Sequence, residues 1–232
     1  IMPTSGGTWI SNNPTIATIT NSGLITGVSA GNTTFRFTDS VTGCHSNATE
    51  PITVFPRPAI AIEGNDHICP TGTTTLTPNS GGTWISNNPT VATVTNAGIV
   101  TGIAPGQATF YFISSSTNCP SQNSLPITVY ARPIVGITGP NSICVNNTTT
   151  LSPVNGGAWI SNNTNIATVN NSGLVTGILG GSTTFRFVQS STGCSSLNTP
   201  SITVFNRPNV AITGSSSICV NGTSSLSPIG GG

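Results

Sequence analysis

The sequence predicts an all-β fold made of tandem two-sheet sandwiches. Short stretches of β-branched and aromatic residues are interrupted every 8 to 12 residues by Gly, Pro or Asn. No segment shows the sustained 3.6-residue periodicity of an amphipathic helix. The whole pattern recurs with a period of 75 residues. About seven short strands per period indicate that each complete unit is a two-sheet sandwich.

Three tryptophans fix the register of the repeat. Three segments align around them without a gap: GGTWISNNPTIAT (6–18), GGTWISNNPTVAT (81–93) and GGAWISNNTNIAT (156–168). We expect Trp9, Trp84 and Trp159 to anchor the hydrophobic cores, because an indole buries a large apolar area. A period of 75 residues is long enough for each unit to be a small domain, unlike the shorter repeats of most solenoids.

The strand that follows each Trp segment shows period-2 alternation. In residues 33–37 (TTFRF), Phe35 and Phe37 fall on one face and Arg36 on the other. The other two repeats keep the same pair of aromatic positions, at Phe110 and Phe112 and at Phe185 and Phe187. The alternation predicts strands with one buried face.

The phase of the repeat predicts the domain boundaries. Residues 57–131 and 132–206 should each form a complete domain, whereas 1–56 should supply only later strands and 207–232 only the first strands. Two explanations are open for the partial units. Either the sequence is a window cut from a longer chain, or the C-terminal strands of one molecule complete the N-terminal domain of the next. Both predict a linear array.

Composition excludes several classes of function. The chain has nine charged residues, and its five basic residues are all Arg, so neither a phosphate-tracking surface nor a polybasic membrane patch can be assembled. We therefore expect no nucleic-acid partner. No apolar run approaches the roughly 20 residues that span a bilayer, so no membrane insertion is expected.

Comparison of the repeats with one another argues against catalysis. Asp39, His45, Glu50 and His67 each have a non-ionisable residue at the equivalent position of the other repeats. A general acid–base pair or a Ser/His/Asp constellation needs at least two such groups held together. His45 and His67 lie near cysteines, but the other repeats keep the Cys and lack the His. We therefore expect neither an enzyme nor a cofactor or metal site.

The six cysteines form two periodic series and predict disulfides in an oxidising compartment. One series is Cys44, Cys119 and Cys194, and the other is Cys69, Cys144 and Cys219. Two pairings respect the repeat. The preferred one lies within a domain and joins residues 50 apart, Cys69 with Cys119 and Cys144 with Cys194. The other crosses the junction and joins residues 25 apart, Cys44 with Cys69, Cys119 with Cys144 and Cys194 with Cys219. In either case we expect all six cysteines to be bonded.

An Arg-Pro pair recurs at each domain junction. Arg57, Arg132 and Arg207 each precede a Pro, which biases the Arg toward an extended conformation and restricts bending of the linker. Two interpretations are open for these arginines. Each Arg either bonds acceptors of the adjoining domain or is a solvated residue of the linker.

These residues resemble a known family. The run WISNNPTVATVTNAGIVTGIAPG (84–106), with 107–112 and 127–129, is similar to the bacterial immunoglobulin-like group 2 domain, and all three units show its elements. The cysteine-containing segments HICPTGTTTLTP (67–78) and SICVNNTTTLSP (142–153) resemble units of large secreted repeat proteins of Bacteroidetes. The resemblance implies tandem immunoglobulin-like β-sandwich domains and an extracellular or cell-surface location.

The expected function is that of an extracellular structural repeat protein, either a subunit of a head-to-tail fibre or a surface stalk, whose partners are copies of itself. The alternative is a cell-surface adhesin whose repeats bind a glycan or a host protein. The two functions predict different patterns of variation among the repeats. A structural polymer should keep its interdomain contacts alike in each unit, whereas an adhesin should display an exposed aromatic or basic patch.

Overall fold

The computed structural model describes residues 5–228, and this range contains strands and turns but no helix. The predicted all-β fold is therefore confirmed. Since no helix occurs in the described range, it also contains none long and apolar enough to cross a membrane.

Contacts divide the chain into two compact units. The first unit comprises Ile1–Asp66 and Thr73–Thr128, and the second comprises His67–Gly72 and Val129–Gly232. The short segment His67–Gly72 thus belongs with residues that follow it by more than 50 positions in the sequence. The domain boundaries after residues 56, 131 and 206 stay a prediction from the sequence repeat.

The strands follow the sequence repeat. Those of residues 5–56 are β1 (Gly7–Ser11), β2 (Ala17–Ile19), β3 (Ile25–Gly27), β4 (Gly31–Thr33), β5 (Phe35–Asp39) and β6 (Ile52–Val54). Those of residues 57–131 are β7 (Ala61–Ile62), β8 (His67–Ile68), β9 (Thr73–Thr77), β10 (Gly82–Ser86), β11 (Ala92–Val94), β12 (Ile99–Gly102), β13 (Gly106–Ala108), β14 (Phe110–Ser114) and β15 (Ile127–Val129).

The remaining strands repeat this order. Those of residues 132–206 are β16 (Gly136–Ile137), β17 (Ser142–Cys144), β18 (Thr148–Ser152), β19 (Gly157–Ser161), β20 (Ala167–Val169), β21 (Leu174–Gly177), β22 (Gly181–Thr183), β23 (Phe185–Gln189) and β24 (Ile202–Phe205). Two more, β25 (Val210–Ile212) and β26 (Leu226–Pro228), pair as an antiparallel hairpin in the last described segment.

The third repeat shows how the strands divide among sheets. One sheet has four strands in the order β16-β18-β21-β20, another has three in the order β17-β24-β22, with β17 parallel to β24, and β19 and β23 form a two-stranded sheet. Residues 181–189 contribute to two sheets, because β22 pairs with β24 whereas β23 pairs with β19. A segment that contributes to two sheets is counted as two strands. Residues 132–206, all of which the structure describes, therefore contain nine short strands, whereas the sequence predicted about seven.

A Trp–Phe pair forms the centre of the core in every repeat. The Trp strand pairs with the Phe strand in the same antiparallel register each time, placing Trp9 opposite Phe37, Trp84 opposite Phe112 and Trp159 opposite Phe187. The paired rings are tilted, with centroids 5.2 to 5.3 Å apart. Tilted aromatic pairs at this distance add stabilisation beyond the area that they bury.

The Gly-Gly pair before each Trp has a steric cause. The first glycine has a positive φ, +82° at Gly81 and +84° at Gly156, which L side chains rarely adopt. A Cβ on the second glycine would clash with the facing strand, at the Ile113 carbonyl for Gly82 and at the Val188 carbonyl for Gly157. The pair therefore lets the Trp strand approach the Phe strand closely.

Candidate functional site

The richest cluster of long-range polar contacts surrounds Arg132, in the second compact unit. Its Nη2 donates to the carbonyl oxygen of Pro70 at 2.9 Å and to the hydroxyl of Thr71 at 3.2 Å. Its Nη1 donates to the carbonyl oxygen of Ser195 at 3.1 Å. The partners lie about 60 residues before and after Arg132 in the sequence, so one guanidinium joins a turn of the second repeat to a loop of the third. We name Arg132 with these partners the junction clamp.

A disulfide lies beside the junction clamp and corrects the predicted pairing. Cys69 bonds Cys194, with a Cα–Cα distance of 5.5 Å and a sequence separation of 125 residues. The predicted bonds of Cys69 with Cys119 and of Cys144 with Cys194 are therefore wrong, and so is the 25-residue alternative. The physical reason is the position of Arg132: its partners Pro70 and Ser195 directly follow the two bonded cysteines. The junction brings these two loops together.

The other four cysteines are thiols in the structure. Cys44 and Cys219 are exposed, whereas Cys119 and Cys144 are half-buried. The expectation that all six cysteines are bonded is therefore not met within a single chain. By contrast, Cys194 is fully buried in its disulfide.

The Cys69 side of the junction is a tight turn that recurs in each repeat. The N–H of Gly72 donates to the Cys69 carbonyl at 2.9 Å, and Thr71 has a φ of +69°. Equivalent N–H to C=O bonds join Asn147 to Cys144 and Gly222 to Cys219. Asn146 and Asn221 take the same left-handed conformation, at +69° and +66°. All three turns thus present the Cys in the same local geometry.

The Cys194 side is a short loop that also recurs. The N–H of Gln189 donates to the Cys194 carbonyl at 3.0 Å, and corresponding bonds join Ser114 to Cys119 and Asp39 to Cys44. The residue after each Cys also makes an isolated β-bridge, in the pairs Thr38–His45, Ile113–Pro120 and Val188–Ser195.

The other two junction arginines differ in their contacts. Arg207 binds the turn equivalent to that of Arg132, since its Nε donates to the Val145 carbonyl at 2.9 Å and its Nη2 to Asn147 Oδ1 at 3.1 Å. Arg57 is exposed, and no hydrogen bond of its side chain occurs within residues 5–228. The positions equivalent to the turn at residues 69–72 lie one period earlier and precede Ile1.

The sequence indicated Arg132 but not the groups that accept its hydrogen bonds. Two of the acceptors, at Pro70 and Ser195, are backbone carbonyls. Every residue type has a backbone carbonyl, so the sequence does not reveal these acceptors. The predicted core residues lie within their repeats: Trp9, Trp84 and Trp159 are 8%, 4% and 5% exposed. The indole Nε1 of Trp84 donates to the Pro78 carbonyl at 2.8 Å, and that of Trp159 to the Pro153 carbonyl at 2.9 Å.

The scarce ionisable side chains take part in local contacts. Asp39 caps its own loop, and its carboxyl pKa is lowered chiefly because the Thr42 N–H donates to it, followed by the Thr42 hydroxyl and the Val41 N–H. His45 Nδ1 lies 2.8 Å from the Thr38 hydroxyl. Among the described residues, no group of three or more His, Cys, Asp or Glu is placed to hold a metal ion.

Removing the guanidinium of Arg132 should loosen the junction. We expect Arg132→Ala to lower the free energy of unfolding by about 2 kcal/mol, because hydrogen bonds from a charged donor contribute about 1.5–3 kcal/mol. Arg132→Lys should recover little of this, since a single ammonium cannot reproduce the fork that bonds acceptors on two loops. Thermal denaturation and hydrogen exchange of residues 67–72 and 190–197 measure the effect.

Arg57→Ala is the matched control. It removes the same side chain at the same repeat position, but from a site where the described structure shows no side-chain hydrogen bond. In the single, unassembled chain we expect a change within about 0.5 kcal/mol, as for other exposed positions. Equal destabilisation by the two replacements would contradict the junction clamp.

Several solved structures match the chain at low sequence identity. Domains 1–6 of the surface layer protein SbsC match at 18% identity, covering 94% of this chain and 39% of that chain, with a TM-score of 0.27. A C-terminal 282-residue fragment of intimin, solved with the intimin-binding domain of its translocated receptor, matches at 12% identity over 68% and 67%, with a TM-score of 0.38. Invasin, a bacterial integrin-binding protein, matches at 15% identity over 91% and 54%, with a TM-score of 0.38. At these identities the likeness concerns the fold alone.

The sequence itself identifies the family. No curated protein sequence matches the chain. The profile described as "Bacterial Ig-like domain (group 2)" matches residues 3–47 and 48–119, about half of the chain. The matched segments contain Trp9 and Trp84 with their glycine pairs and Phe partners, which are the residues that build the repeated core. The chain therefore belongs to the bacterial immunoglobulin-like group 2 domain family.

Proposed function

We propose that the protein is a non-enzymatic structural element of an extracellular repeat array, a fibre or stalk, in which the last hairpin of one copy completes the first repeat of the next. The observation that carries this proposal is complementary exposure: residues 5–56 leave core side chains and strand edges open, and residues 208–225 have repeat positions with no counterpart in the first repeat.

The first repeat has an open core. Ile25, Ile52 and Val54 are only half-buried, whereas the equivalent residues of the other repeats are almost fully buried. Those equivalents are Val100, Val175, Ile127, Ile202, Val129 and Val204, each at most 2% exposed. Partly exposed β-branched side chains at core positions favour a partner that covers them.

The same repeat has open strand edges. In the other repeats the strand equivalent to β3 lies between two partners: β12 pairs with β9 and β11, and β21 pairs with β18 and β20. Within residues 5–228, β3 pairs only with β2, and β6 only with β4. Unpaired edges of this kind accept an added strand.

The hairpin at the other end of the chain exposes the complementary side chains. Ile218 is 59% exposed, whereas its equivalents Ile68 and Ile143 are at most 7% exposed. Leu226 is 72% exposed, but its repeat position belongs to Ile1 in the first repeat. The pairing of β25 with β26 places Ala211 opposite Ser227, as β7 and β9 place Ala61 opposite Thr77. The hairpin thus carries the residues that cover the core in a complete repeat, already in the required register.

Two further observations support the proposal. The Cys69–Cys194 disulfide fits an oxidising, extracellular compartment. The junction contacts also recur, since Arg132 and Arg207 both bind the turn that follows the preceding repeat's Cys. Repetition of junction contacts is what a structural array requires.

Assembly of the full chain tests the proposal. Under reducing conditions, the unmodified chain should form filaments visible by negative-stain electron microscopy, and light scattering should rise with concentration. Ile218→Asp should weaken assembly about 100-fold or more, because it removes an apolar side chain and buries a carboxylate at the interface. Since Ile218 is exposed in the single copy, this replacement should leave its folding intact.

Thr223→Asp is the matched control on the same hairpin. Its equivalents Thr73 and Thr148 are exposed in the other repeats, so the added charge should stay in solvent after assembly. Assembly of this variant should match that of the unmodified chain. A chain that stays monomeric at high concentration, or equal assembly of both variants, would overturn the proposal.

One observation favours the alternative, an adhesin. A cleft of about 300 Å³ in the second unit is lined by Arg132, Pro133, Ile134, Val135, Leu197 and Asn198. Ile134 and Leu197 are 93% and 70% exposed, and the other repeats have Ala, Asn or Gln at these two positions. Because this exposed apolar surface occurs in only one repeat, ligand binding explains it better than a contact that recurs in every repeat. Ile134→Ser with Leu197→Ser should abolish binding to a cell surface if the cleft is a binding site, and should leave filament formation unchanged.

A further inference from the structure

We propose that the Cys69–Cys194 disulfide is one rung of a repeated ladder, and that Cys144 and Cys219 of one copy form disulfides with Cys44 and Cys119 of the next. This inference rests on the proposed head-to-tail array. It assigns a covalent role to the four cysteines that are thiols in the single chain.

The spacing of the observed bond supplies the rule. Cys69 and Cys194 are 125 residues apart, which is one 75-residue period more than the 50-residue spacing within a repeat. A Cys of the series Cys69, Cys144 and Cys219 thus bonds a Cys of the series Cys44, Cys119 and Cys194 in the following repeat. Among the six cysteines, no other pair in the chain has this spacing and order.

The same rule predicts the partners of the remaining thiols. Adding 125 residues places the partner of Cys144 at position 269 and the partner of Cys219 at position 344, both beyond the 232 residues. A following copy displaced by three periods, or 225 positions, carries Cys44 and Cys119 at those places. One displacement therefore satisfies both cysteines. It is also the displacement at which residues 208–225 take up the repeat positions that precede Ile1 of the following copy.

The local structure around the thiols matches that of the formed bond. Cys144 and Cys219 lie in the same tight turn as Cys69, with a left-handed residue two positions on. Cys44 and Cys119 lie in the same loop as Cys194, with the equivalent backbone bond to the Cys carbonyl. Both halves of the missing rungs are therefore already folded in the single copy.

An arginine is already in place beside one missing rung. Arg207 binds the turn of Cys144 as Arg132 binds the turn of Cys69. The second acceptor of Arg132 is the carbonyl of Ser195, the residue after Cys194. The corresponding residue for Arg207 is His45 of the following copy, the residue after Cys44. The clamp at Arg207 is thus half occupied, on the side that the chain itself supplies.

Exposure allows the bonds to form on assembly. Cys44 and Cys219 are exposed, so each rung has one accessible thiol, while Cys119 and Cys144 are half-buried. The chemistry needs a disulfide oxidant, such as oxidised glutathione. One protein thiolate attacks the oxidant and releases one glutathione thiol. The second protein thiolate then attacks the mixed disulfide, forms the protein S–S bond and releases the other glutathione, so two thiols are oxidised and one disulfide is reduced.

Mapping of disulfides in assembled material tests the ladder. The full chain is assembled under reducing conditions, then oxidised with a glutathione redox buffer and digested without reduction. Chymotrypsin and a glutamate-specific protease together place each cysteine on its own peptide. Mass spectrometry should find Cys44 linked to Cys144 and Cys119 linked to Cys219 in covalent oligomers, with Cys69 linked to Cys194 throughout.

Variants make the assignment specific. Cys144→Ser should remove the Cys44 link and keep the Cys119–Cys219 link. Cys144→Ser with Cys219→Ser should reduce covalent oligomers at least about 10-fold on a non-reducing gel, to the level given by random thiol oxidation. The Cys69–Cys194 bond should be unaffected in both variants.

The failures of the two proposals are distinguishable. Filaments that form but contain no links between copies, or links of Cys44 with Cys219 or of Cys119 with Cys144, would overturn the ladder and leave the structural array standing. Absence of filaments under both reducing and oxidising conditions would overturn both.

Discussion

Replacing Cys69 and Cys194 together by Ser should lower the free energy of unfolding by about 5 kcal/mol. Without this bond, a loop of 125 residues gains conformational freedom in the unfolded chain, and the entropy cost of closing such a loop is about that size. For a chain of this length, about 1 kcal/mol shifts the melting temperature by 2–4 °C, so we expect a decrease of about 10–20 °C. Calorimetry of the Ile218→Asp background, which should stay monomeric, measures this decrease.

Cys119→Ser is the control for the change of residue type. This thiol is half-buried and lies in a loop equivalent to that of Cys194, but it bonds no other cysteine in the single chain. Its replacement should shift the melting temperature by no more than about 2 °C. Comparable shifts for Cys119→Ser and the double variant would show that Ser, rather than loss of the bond, destabilises the fold.

Truncation of Trp159 should be nearly as severe. Trp159→Ala removes a side chain that is 5% exposed and packs on Phe187, and leaves the Pro153 carbonyl without its donor. We expect a loss of about 3–5 kcal/mol, the range for large aromatic residues in cores. Hydrogen exchange in peptides covering β19 and β23 should accelerate, while peptides covering β10 and β14 should be unaffected.

Ile160→Ala on the same strand is the control. Ile160 follows Trp159 but faces away from the core and is 37% exposed. Its truncation should cost about 1 kcal/mol or less, because little buried apolar area is lost. Similar costs for both truncations would contradict the assignment of Trp159 as the core anchor.

The sequence was sufficient to predict the fold class and the packing faces. The residue types themselves indicate these features. The Gly-Gly pair allows a close approach of two strands, the Trp supplies a large apolar ring, and the two Phe residues show the period of two that is typical of a strand with one buried face. The structure places Phe35, Phe110 and Phe185 fully inside the cores and leaves the intervening Arg36 and Arg186 exposed. Such features depend on residues near one another in sequence or across one strand pair.

The pairing of Cys69 could not be predicted, because the repeat makes its candidate partners equivalent in sequence. Cys119 and Cys194 are one period apart and occupy equivalent loops, so the spacing alone does not say which of them faces Cys69. The choice depends on how the junction places one loop against another, and Arg132 achieves this through backbone carbonyls that no residue type reveals. The change of sheet at Thr184, between β22 and β23, was hidden for a similar reason.

A disulfide joins the second repeat to the third. The most direct measurement of this bond is a non-reducing digest of the monomeric Ile218→Asp chain with chymotrypsin and a glutamate-specific protease, followed by mass spectrometry. We expect peptide 64–76, which carries Cys69, to be linked to peptide 188–197, which carries Cys194. A link from Cys69 to the Cys119 peptide instead would place the bond within one repeat and contradict a connection between repeats.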